Sequence, residues 1–345
     1  MSEWRGEGLP FEDNEGAMKQ FTVVMVATDL EMPASVPEEL SAAGVDFRDR
    51  LCQKPSEVPS ACRDADLIWV MGGARIVTGE ILPSLKRCRV LLRTGTGTDN
   101  MPVVEATRLG IYVANTPEAT THTVAEHAIG LIFAVARQIV AQDRLVRQGV
   151  WDRDRAWPNW SFMGRTLGLV GFGRIAQAVV AKVKGFQMHV IASDPAVSAE
   201  TMQAHGVEKV SLEQLLSRSD YISIHAPSLP ATRHLIGTSQ FQLMKPNAIL
   251  VNTARGPLID QVALIEALRE RRIGGAGLDV TETEPLPMND PLLKLDNLVL
   301  TPHIASYSDE FRQNFWGHSV RTIKAVAAGN PPLWVVNPEV IPKIV

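Results

Sequence analysis

A chain of 345 residues, 45% apolar and 21% charged, has room for two domains with separate cores and the make-up of a globular protein. A net charge of −4, with no dense Lys/Arg run, speaks against nucleic-acid binding. No apolar stretch is both long enough to span a membrane and free of charge; the best, residues 124–140, contains Glu126, His127 and Arg137.

Residues 1–19 are polar and acidic and lack the basic and apolar regions of a secretion signal, so a disordered extension is expected. The next hundred residues alternate β-branched runs with helical patterns. Strands are expected at Phe21–Val26, Asp66–Met71, Arg89–Arg93 and Gly110–Ala114. Such alternation argues for a parallel sheet with crossover helices. Cys52, Cys62 and Cys88 are widely spaced in no metal or redox pattern and read as reduced thiols of a cytoplasmic protein.

A long helix is expected from Thr123 to Gln148, with Thr123 and Glu126 as a capping box. A loop follows in which three of the seven Trp residues, Trp151, Trp157 and Trp160, lie within ten positions. A second alternating series then begins, with strands expected at Thr166–Val170, His189–Ser193, Tyr221–Ile224, Ala248–Asn252, Ala276–Val280 and Leu298–Leu300. A helix from about Ser308 and a Pro-rich tail close the chain. The order implies a discontinuous architecture. Residues 20–118 with 305–345 would form a smaller domain, and residues 119–304 a dinucleotide-binding domain.

The strand Thr166–Val170 runs into Gly171-Phe-Gly173-Arg-Ile-Ala176, which opens a predicted helix over 174–184. A Gly-x-Gly turn lets the backbone approach a pyrophosphate, while the helix presents its amides and positive dipole end. Ala176 fills the third position, where a small residue is allowed. Asp194, 23 residues beyond Gly171, ends the next strand and suits the adenosine ribose hydroxyls. It would repel the 2′-phosphate of NADP, and Pro195, Ala196 and Val197 offer no cation to hold one, so NAD is the expected cofactor.

Three charged residues follow later strands: Arg255, Glu284 and His303. In open α/β sheets, ligands bind at the carboxyl ends of strands. Arg255 can grip a carboxylate and a carbonyl oxygen through its forked donors. His303 can give and take a proton. A carboxylate hydrogen-bonded to that imidazole would fix its tautomer and favour its charged form. Glu282 and Glu284, both in Thr281-Glu-Thr-Glu-Pro, compete for that place. Hydride transfer to a small anionic carbonyl compound is the chemistry these groups suit.

The segments Asn252-Thr-Ala-Arg255-Gly, Gly277-Leu-Asp-Val-Thr-Glu-Thr-Glu284-Pro and Thr301-Pro-His303-Ile resemble the signatures of the D-isomer-specific 2-hydroxyacid dehydrogenases. So do Arg93-Thr-Gly-Thr96-Gly-Thr-Asp-Asn100, Val124-Ala-Glu-His127 and Tyr221-Ile-Ser-Ile-His-Ala-Pro227, and the likeness runs from Phe21 to Pro338. The resemblance implies a Rossmann-type doubly wound parallel sheet with a smaller flavodoxin-like α/β substrate domain. It implies Arg255 as the substrate-binding and electrophilic residue, His303 as acid/base, and Glu284 rather than Glu282 as its partner. It also implies NAD contacts from Arg174, Ile175, Ala226, Thr253, Asp279 and Ala305, with Thr96 on the nicotinamide side. Backbone amides around Gly95, Thr96 and Gly97, and near Gly72 and Gly73, would hold the substrate carboxylate. A homodimer through the long helix is the family expectation.

The substrate itself is less legible. Glyoxylate and hydroxypyruvate reductases of this family carry a similar aromatic loop, so Trp157 or Trp160 could cap a small hydroxylated substrate or bury the loop at a dimer interface. Arg75 could bind a phosphate or second carboxylate, or be solvated. Formate or phosphite oxidation, and an NAD(H)-sensing binding protein, are the alternatives on the same scaffold.

Overall fold

The computed structural model describes residues 20–27, 32–71, 73, 75–156 and 158–341, the side chain of Arg312 excepted. The expected N-terminal extension, Gly72 and Trp157 lie outside the described residues. The chain divides into two units. One comprises the described residues up to Thr120 together with those from Asp309 onward; the other is Thr121–Ser308. The joints fall two and four residues beyond the boundaries expected from the sequence, because the 3-10 turn Pro117–Ala119 still belongs to the first unit and the next helix begins at Thr121.

The first unit is built on β1 (Phe21–Ala27), β2 (Val45–Leu51), β3 (Leu67–Val70), β4 (Val90–Arg93) and β5 (Tyr112–Asn115). All pair parallel in the order β2-β1-β3-β4-β5, the flavodoxin-like winding. The inner strands are continuous apolar runs, as burial on both faces requires. Strand β2 escaped the sequence reading because Val45-Asp-Phe-Arg-Asp-Arg-Leu carries four charges. It is an edge strand whose outer half is exposed, and charge there discourages pairing with another chain.

The C-terminal helix Phe311–Ala327 returns to this unit. Trp316 meets Trp69 edge to face at 5.4 Å, and Ser319 Oγ lies 2.9 Å from Thr94 Oγ1. Asn337 then accepts the Val113 amide at 2.8 Å and donates to Ile111 O. Cys52, Cys62 and Cys88 are thiols, in no disulfide, buried together in the opposite layer, where burial first, and each other second, pushes the Cys62 thiol up to about 12.

The second unit holds β6 (Thr166–Val170), β7 (His189–Ser193), β8 (Glu208–Lys209), β9 (Tyr221–Ile224), β10 (Ile249–Asn252), β11 (Gly275–Leu278) and β12 (Leu298–Leu300). Their order, β12-β11-β10-β9-β6-β7-β8, reverses direction between β6 and β9, the doubly wound Rossmann pattern. Its crevice therefore opens beyond Val170 and Ile224, which are in register. The helix Thr121–Ala136 packs across β10, β11 and β12 and beside the helix Arg174–Val183.

The single helix expected over 123–148 is two helices, Thr121–Ala136 and Ile139–Arg147, bent by 57°. Gln138 takes φ +50 at the break and donates its side-chain amide to Pro158 O at 2.6 Å, so the Trp-rich loop holds the bend. The first helix starts at Thr121, so Thr123 stands inside its first turn and is not the cap that the sequence suggested. No residue of Ile139–Arg147 is buried; Ile139, Val146 and the following Trp151 are exposed. No single helix among the described residues is long and apolar enough to cross a membrane.

Candidate active site

Gly171 is where the sheet meets the crevice. Its φ of +90° favours glycine, and a Cβ would stand 2.8 Å from the Ala226 amide nitrogen. The Phe172 amide donates to Asp194 Oδ2 at 2.8 Å, and the Ala196 amide donates to Asp194 Oδ1 at 2.8 Å. Asp194 is thus fixed across the turn, with a lone pair on each oxygen still open to ribose hydroxyls. Gly173 caps the helix Arg174–Val183 with no side chain, and no atom lies within 4 Å of where its Cβ would be. The helix thus opens at a residue with no side chain, and its N-terminal end is the kind that attracts a pyrophosphate. Ala176 is fully buried against the sheet.

Across the switch point, His225 donates its amide to Val170 O at 2.7 Å, and its Nε2 lies 2.9 Å from Ser223 Oγ. Although its residue surface is partly open, the ring is set deep, and burial pushes its pKa down to about 4. A neutral ring there is a fixed wall and no proton donor at ordinary pH. Ala226 beside it is half-buried. Thr253 Oγ1 is buried with no hydrogen-bond partner among the described residues. A buried hydroxyl without a partner costs about 1–3 kcal/mol, so it marks a place where a ligand completes the bonding. These groups fit a nicotinamide dinucleotide.

Three loops at the carboxyl ends of β10, β11 and β12 carry the remaining chemistry. The buried Asn252 side chain shapes the first, accepting the Ala254 amide at 2.9 Å and donating to Arg255 O at 2.8 Å. Arg255 is half-buried and gives one donor to Ala254 O at 2.7 Å. Gly256 follows flush against the second loop: a Cβ there would come 1.9 Å from Thr281 O.

Asp279, 2% exposed, organises the third loop. Its backbone carbonyl accepts the His303 amide at 2.8 Å. Its carboxylate accepts Thr301 Oγ1 at 2.6 Å and the amides of Ile304 and Ala305 at 2.9 Å each. His127, on the helix Thr121–Ala136, adds its Nε2 to Thr301 Oγ1 at 2.9 Å. His303 itself takes φ +55, a left-handed conformation costly for a non-glycine residue, and this web of bonds holds it there.

The imidazole Nδ1 of His303 lies 2.7 Å from Glu284 Oε2, and the Thr281 amide donates to Glu284 Oε1 at 3.1 Å. Partial burial raises the Glu284 pKa. The His303 hydrogen bond and charge, the Thr281 amide and the Arg255 charge outweigh it and hold the carboxyl below its usual 4.5. Glu282 is committed elsewhere, to His234 at 2.8 Å and to the Gln261 amide at 3.2 Å. The structure therefore separates the two carboxylates that the sequence left in competition. A proton can enter or leave at His303 Nε2, with Nδ1 tied to an anion.

Asp279 and Ala305 were expected at the cofactor. Three of the four lone-pair sites of the Asp279 carboxylate are taken by the chain, and so is the Ala305 amide. In the first unit the Gly95 amide donates to Thr116 Oγ1 at 2.7 Å, which removes it from the expected set of carboxylate donors. The Thr96 and Gly97 amides have no partner among the described residues; Thr96 O accepts Asn115 Nδ2 at 2.7 Å, and Thr96 Oγ1 lies 2.6 Å from Thr120 Oγ1. Gly73 faces open space. Arg75 is exposed, 3.8 Å from Asp99. Trp160 packs on the core of its own unit. Thr253 was expected at the cofactor from the resemblance; the His127–Thr301–Asp279 chain carried no signal in sequence spacing, since its members are brought together only by the fold.

Residues 129–305 match the family described as D-isomer specific 2-hydroxyacid dehydrogenase, NAD binding domain. A glyoxylate reductase of Korarchaeum cryptofilum is 44% identical over 270 residues, 77% of this chain and 81% of that one. The glyoxylate reductase of Pyrococcus furiosus is 39% identical over 319 residues, 89% and 94% of the two chains. A D-3-phosphoglycerate dehydrogenase of Methanocaldococcus jannaschii is 42% identical over 83% of this chain, which spans only 54% of that longer protein. Among solved structures, a D-lactate dehydrogenase from Aquifex aeolicus complexed with NAD and lactic acid is 28% identical, with TM-score 0.79 over 89% of this chain and 96% of that one. Sequence, strand order and the three loops agree: the chain belongs to the D-isomer-specific 2-hydroxyacid dehydrogenases, NAD-dependent oxidoreductases acting on the CH–OH group of 2-hydroxyacids.

Proposed function

We propose that this protein reduces a small 2-keto acid to the D-2-hydroxy acid with NADH, glyoxylate and hydroxypyruvate being the first candidates. The observation that carries the reading is the 2.7 Å pairing of His303 Nδ1 with Glu284, on the loops beside Arg255. The relatives named glyoxylate reductase over most of the chain favour the short substrates.

When bound, the nicotinamide supplies or accepts the hydride at the substrate's C2. Arg255 would hold the substrate carboxylate and draw electron density from the carbonyl oxygen. His303 would deliver its Nε2 proton to that oxygen as the hydroxyl forms, and take it back in oxidation. Glu284 stabilises the charged ring before transfer and keeps the remaining proton on Nδ1. Gly171, Gly173, Arg174 and Ile175 would bind the pyrophosphate, and Asp194 the ribose, favouring NAD over NADP by charge. Thr253 and Ala226 would complete the cofactor wall.

The exposed apolar side chains of Ile139 and Val146 support a homodimer formed through the helix Ile139–Arg147. Reduced thiols support a cytoplasmic setting. The test is NADH consumption with glyoxylate, hydroxypyruvate, pyruvate, phenylpyruvate, 2-ketoglutarate and 3-phosphohydroxypyruvate. Turnover of glyoxylate or hydroxypyruvate above the rest sustains the proposal. NADH binding without turnover of any keto acid sinks it and favours a cofactor-sensing role.

A further inference from the structure

Arg255 and Glu284 ride on two different strand ends, and a third segment joins them. His234 lies in the stretch between β9 and β10, with φ +50. Its amide donates to Pro257 O at 2.8 Å, the Ile236 amide to Leu258 O at 3.0 Å, and the Asp260 amide back to Ile236 O at 2.9 Å. The segment therefore runs as a short parallel bridge beside the loop that carries Arg255. Its imidazole faces the other loop. Nε2 is 2.8 Å from Glu282 Oε1, a contact of proximity more than of linear hydrogen-bond alignment, and Nδ1 is 4.0 Å from Asp260 Oδ2.

The two carboxylates are anchored in turn. Asp260 Oδ1 accepts the Val262 and Ala263 amides and caps the helix Gln261–Arg269. The Gln261 amide donates to Glu282 Oε1 and the Glu282 amide to Gln261 Oε1, each at 3.2 Å. Gln261 Nε2 reaches Asp290 Oδ2 at 3.0 Å. Immediately under this knot, Gly256 lies flush on the Thr281–Glu282 peptide. His, Asp and Glu side chains within reach of one another are also the donor types of a cation site. Here Asp260 Oδ1 and Glu282 Oε1 already hold backbone amides, so the cluster is built as a fastening.

We propose that His234 is a positioning residue for the reaction: its imidazole, set between Glu282 and Asp260, clamps the Arg255 loop to the loop that carries Glu284. It touches neither reacting atoms nor the paired His303. Its effect passes through the register of the two loops, since Thr281, whose amide holds Glu284 Oε1, adjoins Glu282. The inference rests on the dehydrogenase reading for its kinetic consequence, though not for the clamp itself.

The experiment compares His234→Leu and His234→Gln with the parent, as full-length protein. Leucine removes the polar ring at similar bulk; glutamine keeps a donor. In His234→Leu, kcat for keto-acid reduction should fall roughly tenfold to a hundredfold, as expected of a small misplacement away from the chemistry. KM for NADH should stay within about twofold of the parent value. Hydrogen exchange at the Gln261, Thr281 and Glu282 amides should quicken about tenfold, and His234→Gln should restore most of both effects. The proposal is overturned if His234→Leu keeps kcat and slow exchange, or if it loses only thermal stability with kcat per folded molecule unchanged. Should the parent turn over no keto acid, the dehydrogenase reading fails, and exchange alone still decides the clamp: faster exchange upholds it, unchanged exchange removes it.

Discussion

Glu284→Gln probes the centre of the mechanism. Charges 4 Å apart interact by about 1 kcal/mol in water and about 4 kcal/mol at an effective dielectric of 20. Glu284 and His303 side chains are 38% and 49% exposed, so the lower part of that range applies. That attraction, about 1 kcal/mol, is lost when the carboxylate becomes an amide. The second effect is geometric. The Thr281 amide donates to Oε1, so a glutamine that keeps this bond turns its NH2 toward His303 Nδ1. The ring must then accept there, and it can no longer give up its Nε2 proton without becoming an anion. A kcat loss on the order of 10²–10⁴ is expected, the usual worth of a positioned acid. The assay is NADH-linked reduction across pH 5–10, with NADH affinity followed by fluorescence as a control. A variant with parental kcat would show that Glu284 does not govern His303.

Other perturbations follow from the same geometry. The depressed Glu284 pKa means its contribution is fully present above the usual 4.5 and lost only as pH falls below it through the folded value. The acid limb of activity in the parent should therefore lie below about pH 4.5, and a carboxylate-like limb near pH 6 would contradict the assignment. Asp194→Ala should raise the NADPH-to-NADH ratio of kcat/KM on the order of tenfold, a 1.4 kcal/mol change; an unaltered ratio would clear Asp194 of cofactor selection. Thr301→Val strands His127 and one Asp279 lone pair, costing about 1–3 kcal/mol in denaturant unfolding, and should lower kcat as the His303 loop relaxes. Gly256→Ala forces the Arg255 loop off Thr281, with roughly 1–3 kcal/mol lost and activity falling further than stability.

Six strands of the second unit were legible to within a residue or two because buried parallel strands are short, apolar and bounded by turn residues; the exposed two-residue edge strand Glu208–Lys209 offers no such run and was not expected. Arg255, Glu284 and His303 were legible for a related reason: each follows such a strand, and strand ends converge. What failed was whatever depends on a partner distant in sequence. The polar edge strand Val45–Leu51 has no apolar period. The break at Gln138 has neither glycine nor proline to announce it; it exists because a loop twenty residues on takes the glutamine side chain. Gly95 reads as an open amide until Thr116 is folded beneath it. His234, Asp260 and Glu282 are separated by more than twenty residues each and meet only through the β9–β10–β11 order.

The placement of the three cysteines gives the protein a reporter of its own. All of them lie in the first unit, none in the second, and each is sealed in one apolar layer. A thiol reagent can reach them only when that layer opens, and the ring-and-carboxylate chemistry of the other unit contains no sulfur for it to damage. Labelling kinetics in native buffer would thus time the opening of one unit while NADH-linked turnover follows the other. No label need be engineered to ask whether cofactor binding in one half steadies the other.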